Sequence, residues 1–128
     1  MKNLTFEGKV VTGEGNGKKY LAIPWVKQQI EEKLGFTPFL GTLNLKLTEE
    51  SVAKRKLLNK AASATICPQE GYCVGLLYKA TICSVECAIV VPKVEGYPEN
   101  ILEVIAAVNL RETLKVKDGD AVSLTINV

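Results

Sequence analysis

Residues 10–24 read VVTGEGNGKKYLAIP. Glycines at 13, 15 and 17, followed by Lys18 and Lys19, have the makings of a phosphate cradle, because backbone N–H groups approach an anion closely where no side chain intervenes. In a P-loop or a dinucleotide fold such a stretch leads from a strand into a helix whose N-terminus meets the phosphate, and the P-loop lysine is followed by Ser or Thr. Here Tyr20 follows the lysines, and YLAI at 20–23 reads as strand. The expectation is strand, loop, strand, which points away from a doubly wound α/β sheet. A plain hairpin tip carrying solubilising lysines fits the same pattern.

Upstream, LTFEGKVVT at 4–12 alternates Leu4, Phe6 and Val10 with polar residues and reads as a strand. Downstream, Pro24 opens PWVKQQIEEKLG, where Val26, Ile30 and Leu34 recur four apart and Gly35 ends the run, so a helix is expected. GTLNLKL at 41–47 then puts Leu43, Leu45 and Leu47 on one face of a strand and Thr42, Asn44 and Lys46 on the other. A short helix is expected from Thr48, and three hairpin-joined strands between Ala62 and Pro92. PENILEVIAAV spaces Ile101, Leu102, Ile105 and Val108 as a helix would, and a second helix is expected there. An Asp-Gly turn at 118–119 precedes a last strand in which Val122, Leu124, Ile126 and Val128 alternate. Closely spaced strands with interspersed helices predict a mainly β fold, an antiparallel Greek-key barrel with helical insertions.

The 128 residues, 47% hydrophobic and 23% charged, fit one domain spanning 1–128. A net charge of +2 and only two arginines, Arg55 and Arg111, argue against a nucleic-acid partner. The start MKNLTFEGKV lacks an apolar targeting core, and no apolar run approaches the ~18 residues of a membrane span. A cytoplasmic protein with no membrane or obligatory protein partner is expected. Histidine is absent, which removes Ser-His-Asp triads, Cys-His dyads and His-ligated zinc. Cys67, Cys73, Cys83 and Cys87 lack CxxC spacing and read as small apolar strand residues with free thiols, a hairpin disulfide being the alternative.

Thr42 and Asn44 lie two apart on one strand face, so their oxygens can converge on a hard cation such as Mg²⁺, although an exposed polar edge reads the same way. Glu103 falls off the apolar stripe of its expected helix, with its carboxylate toward a cleft or toward water. VNLR at 108–111 breaks that helix and would present backbone groups able to read a base edge.

The segments VVTGEGNGKKYL, GFTPFLGTLNLKL, AIVVPKVEGYPENILEVIAAVNLRE and LKVKDGD resemble, in order and spacing, those of archaeal CTP-dependent riboflavin kinases. The resemblance covers nearly the whole chain and is weakest from Thr48 to Cys87. It implies a six-stranded cradle-loop barrel in which riboflavin is phosphorylated by CTP, giving FMN and CDP, with Mg²⁺ as cofactor. By position it assigns Glu14, Gly15, Asn16, Gly17, Lys18 and Lys19 to the nucleotide, together with Val108, Asn109, Leu110 and Arg111. It assigns Thr42 and Asn44 to the magnesium ion and Glu103 to the flavin, where Glu103 is also the candidate to orient or deprotonate the ribityl hydroxyl. Glu95 stands where the family generally has a flavin-contacting threonine, and a carboxylate there would repel a product phosphate. Two alternatives remain at this point. LRETLKVKDGDAVSLTI also resembles the swapped-hairpin strand of AbrB-like DNA-binding regulators, and a flavin- or nucleotide-binding barrel without activity would carry the same motifs.

Overall fold

The computed structural model describes residues 3–13, 21–39, 41–55, 64–66, 75–92 and 98–127. In chain order the elements are β1 (Asn3–Val11), α1 (Pro24–Leu34), β2 (Leu43–Leu47), α2 (Glu49–Lys54), β3 (Ala64–Ile66), β4 (Gly75–Ile82), β5 (Val85–Pro92), β6 (Ile101–Ile105), α3 (Leu110–Leu114) and β7 (Ala121–Asn127). The sheet runs β3-β4-β5-β6-β2-β1-β7, and β4 also pairs with β7. Six antiparallel strands therefore close into a barrel, with β3 added beside the first part of β4. Closure is made by Ala80, Thr81 and Ile82 opposite Ile126, Thr125 and Leu124. β7 is thus paired on both sides within one chain, which needs no hairpin from a second copy.

Alternation decides which residues fill the barrel. Phe6 and Val10 of β1, Leu43, Leu45 and Leu47 of β2, Leu102 and Val104 of β6, and Val122, Leu124 and Ile126 of β7 belong to one buried cluster. A six-stranded barrel has no room for a lumen, so these side chains are its core. A second cluster lies outside the wall, where Val26 and Ile30 of α1 join Ile66, Leu77, Ala88, Val90 and Ile105. α1 starts at Pro24 and stops at Gly35, whose φ of 79° is left-handed and whose N–H reaches the Glu31 carbonyl. α2 is tied to the barrel by buried Ser51, whose hydroxyl accepts from the Glu7 N–H at 2.8 Å. Its first turn is capped by Thr48, which accepts from Ser51 N at 3.3 Å.

Two sequence expectations are corrected. Residues 101–105 are a strand, not a helix. Leu102 and Val104 point into the barrel while Ile105 packs outside with α1, so both faces are covered. A short run that is apolar on both faces satisfies helical spacing as readily as it satisfies a buried strand. Val108, expected on that helix's apolar face, is instead 41% exposed. The expected strand at 20–23 also fails. Leu21 is helical, Ala22 and Ile23 turn into α1, and Tyr20 lies outside the described residues. The expected β1, α1, α2, β2 and β7 elements and the β3-β4-β5 meander are present. β4 and β5 are joined by the two-residue turn Cys83-Ser84, with φ of 47° and 66°. Both cysteines are free thiols: Cys87 is buried on β5 as expected, whereas Cys83 is exposed in the turn. Cys67 and Cys73 lie outside the described residues.

Candidate active site at one end of the barrel

The polar face of β2 points outward, because Leu43, Leu45 and Leu47 take the inward positions. Asn44 then lies between Val11 of β1 and Glu103 of β6, each directly opposite it in antiparallel register. Opposed residues of an antiparallel pair share a face, with Cβ atoms about 4.5–5.5 Å apart. The strand assignment of β6 is what brings Glu103 to Asn44, since Leu102 and Val104 occupy the inward positions on either side of it. Its other neighbour in register is Val90, at the margin of the apolar layer under α1.

Thr42 Oγ1 donates to Asn44 Oδ1 at 3.1 Å. Two adjacent oxygens of an octahedral Mg²⁺ site, each ~2.1 Å from the ion, lie about 3 Å apart. This pair could therefore hold Mg²⁺ with little movement, provided the threonine proton turns aside. Among the described residues no group of three or more acidic, cysteine or histidine side chains is placed to hold a metal. Two neutral ligands leave the remaining positions to phosphate and water, as is common where the ion travels with a nucleotide.

Beside Thr42 a cavity of about 160 Å³ is lined by Phe39, Gly41, Leu43, Ala106 and the segment Val108–Arg111. Phe39 and Val108 are both 41% exposed and give its rim an apolar character. The Phe39 N–H donates to the Ala106 carbonyl at 2.7 Å, joining the segment ahead of β2 to the end of β6. Asn109 caps α3 through its side-chain oxygen, which accepts from Glu112 N at 3.3 Å. That capping occupies the Asn109 side chain, while Val108 and Leu110 contribute to the lining.

Arg111, which also lines that cavity, makes two further contacts. Its Nη2 lies 2.8 Å from Asp118 Oδ1 and donates to the Val11 carbonyl at 3.2 Å. The Thr12 hydroxyl donates to the other Asp118 oxygen. These bonds, Thr12 first and then Arg111, hold the Asp118 carboxyl below its ordinary value. Arg111 therefore braces the end of β1, immediately ahead of the glycine-rich stretch, against α3. Asp118 was read from sequence only as part of a turn, and KDGD carries no signal that would distinguish the two roles.

At the end of β1, Gly13 lies against the Asn44 side chain: a Cβ there would fall 1.8 Å from Asn44 Nδ2. The start of the glycine-rich stretch, the Thr42-Asn44 pair, Glu103 and residues 108–111 thus gather at one end of the barrel. The remaining expected residues, Glu14, Gly15, Asn16, Gly17, Lys18, Lys19 and Glu95, lie outside the described residues. No helix among the described residues is long and apolar enough to cross a membrane.

The family model CTP-dep_RFKase, described as "Domain of unknown function DUF120", matches residues 10–126. Among curated relatives named "Riboflavin kinase", one from Methanosarcina barkeri is 42% identical over 126 residues, covering 93% of this chain and 55% of the relative. One from Pyrobaculum aerophilum is 40% identical over 126 residues, covering 93% and 59%. One from Ignicoccus hospitalis is 38% identical over 129 residues, covering 98% and 72%. The chain spans about half the length of the Methanosarcina relatives it matches. With a match running from the last residues of β1 to Ile126 of β7, over a closed barrel of the expected strand number, the chain belongs to the CTP-dep_RFKase family.

Proposed function

We propose that the chain is a CTP-dependent riboflavin kinase domain, which transfers the γ-phosphoryl group of CTP to the ribityl 5′-hydroxyl of riboflavin to give FMN and CDP. The observation that carries this reading is the gathering at one end of the barrel of Gly13, the Thr42-Asn44 oxygen pair and Glu103. Family membership and relatives named "Riboflavin kinase" support the substrate, and the family's own name supports CTP as donor.

In the transfer the hydroxyl oxygen bonds to the γ-phosphorus, the bond from that phosphorus to the bridging oxygen of CDP breaks, and the hydroxyl proton leaves. Most of the catalysis is positioning and charge stabilisation. Thr42 and Asn44 would hold Mg²⁺, which would supply positive charge to offset that of the nucleotide phosphates. Backbone N–H groups of the glycine-rich stretch, with Lys18 or Lys19, take up charge that spreads over the transferred group. Glu103 orients the ribityl hydroxyl or accepts its proton from the outer face of β6. The cavity beside Thr42 takes the base, with the 108–111 backbone reading its edge. Phe39 and Val108 at the rim of this cavity offer apolar contact to the face of a base.

The test is direct. The protein is mixed with riboflavin, Mg²⁺ and CTP, UTP, ATP or GTP in turn, and FMN is separated by chromatography. CTP should far exceed the purine nucleotides. Equal use of ATP removes the CTP assignment. Binding of CDP and riboflavin without FMN from any nucleotide identifies a non-catalytic barrel.

A further inference from the structure

Gly13 is the point at which the backbone leaving β1 touches the carboxamide of Asn44. A Cβ on residue 13 would lie 1.8 Å from Nδ2 of Asn44, far inside any permitted contact, and 3.0 Å from its Cγ. On its opposite side the same carboxamide is held by Thr42, whose Oγ1 lies 3.1 Å from Oδ1. The amide thus lies with its nitrogen against residue 13 and its oxygen accepting from the threonine hydroxyl. Asn44 itself is partly buried on a paired strand, between β1 and β6, so its backbone cannot retreat. A side chain at 13 therefore presses on the movable end of Asn44, and rotating that carboxamide carries Oδ1 away from Thr42 Oγ1.

We infer that Gly13 is a positioning residue for the cation pair: its lack of a side chain holds Asn44 Oδ1 next to Thr42 Oγ1. The inference rests on the reading of Thr42 and Asn44 as the Mg²⁺ ligands. It gives the first glycine of the stretch a role separate from a phosphate cradle, since Gly13 acts through Asn44 and need not touch the nucleotide. It also ties Gly13, the first glycine of the stretch, directly to Asn44.

The test is a double-mutant cycle with two readouts. Without metal or nucleotide, Gly13→Ala should lower Tm by about 4 °C or more in the wild-type background and by much less in Asn44→Ala, where the space has been vacated. Folding of Gly13→Ala/Asn44→Ala when Gly13→Ala alone does not fold is the same result in stronger form. With CDP present, Mn²⁺ titration followed by electron paramagnetic resonance should show at least a ~10-fold weaker affinity in Gly13→Ala. The double variant should bind no more weakly than Asn44→Ala alone. Equal Tm losses in both backgrounds overturn the inference, as does an unchanged Mn²⁺ affinity in Gly13→Ala. If the wild type binds no Mn²⁺ with CDP, the cation reading of the pair falls first and the inference falls with it.

Discussion

Asn44 on β2 and Glu103 on β6 are directly opposed across an antiparallel pair on the outer face of the barrel. The proposed cation ligand and the proposed hydroxyl-orienting carboxylate therefore sit on neighbouring strands, anchored by the same backbone ladder. Their separation is set by strand spacing, not by loop conformation, which is the rigidity that in-line transfer requires.

Glu103→Gln tests the carboxylate with nearly unchanged volume. Turnover should fall roughly 10²-fold or more, the range for loss of a general base, while CDP affinity measured by calorimetry is retained. A variant with full turnover would reduce Glu103 to a surface position. Weakened riboflavin binding with turnover intact would assign it to flavin binding alone.

Asn44→Leu keeps the bulk beside Gly13 and removes the oxygen. The Thr42 hydroxyl loses its acceptor, a cost of about 1 kcal/mol, so the far-ultraviolet circular dichroism and a cooperative melt should be kept. FMN formation should collapse, and excess Mg²⁺ should not restore it. An active Asn44→Leu protein would mean that Thr42 and Asn44 are only a polar strand face.

Arg111 lies on the surface with Asp118, their side chains 38% and 52% exposed, so the ion pair itself contributes little stability. Its consequence is local, because the same guanidinium holds the Val11 carbonyl two residues ahead of Gly13. Arg111→Lys keeps the charge but not the planar fork, and should raise KM for the nucleotide several-fold while KM for riboflavin stays the same. Equal changes in both constants would show a general loosening and not a brace on the nucleotide side. The Asp118 carboxyl is held below its ordinary value of 3.8, so its pairing is present above that pH and is lost as pH falls through the lowered value. At neutral pH the brace is intact.

Much of the barrel was legible because alternation and turn chemistry agree along β1, β2 and β7, where one face is inward and the other wet. β6 was misread because Leu102 and Val104 serve one apolar layer and Ile105 another, and period alone cannot separate that from a helix. The misreading also hid the proximity of Glu103 to Asn44, which exists only in strand register. Thr42 and Asn44 could be singled out from their spacing. The contact of Gly13 with Asn44 could not, since it depends on how β1 ends beside β2. The pairing of Arg111 with Asp118 was not legible either, because Asp118 lies within a turn motif.

Cys87 gives a prediction that does not depend on the proposed activity. It is 4% exposed on β5, opposite Ala80, and burial pushes its thiol from 9.0 up to about 12. A thiol is neutral when protonated, so the folded state keeps a proton that the unfolded chain releases once pH exceeds 9. Proton uptake is then smaller in the unfolded state, and stability must fall with rising pH, by up to ~1.4 kcal/mol per pH unit from this group. Buried Tyr78, also raised from its ordinary value of 10.0 chiefly by desolvation, adds to the slope above that pH. Well below pH 9 the contribution of both fades, because the unfolded chain also keeps these protons. The melting temperature should therefore be flat with respect to these groups at pH 7–8 and drop between pH 9 and 11, and Cys87→Ala should flatten the first part of that drop. At pH 8, iodoacetamide followed by peptide mapping should label exposed Cys83 and leave Cys87 unmodified until the chain is unfolded. Ready labelling of Cys87 in the folded protein, or an alkaline slope identical in Cys87→Ala, would contradict its burial in the barrel.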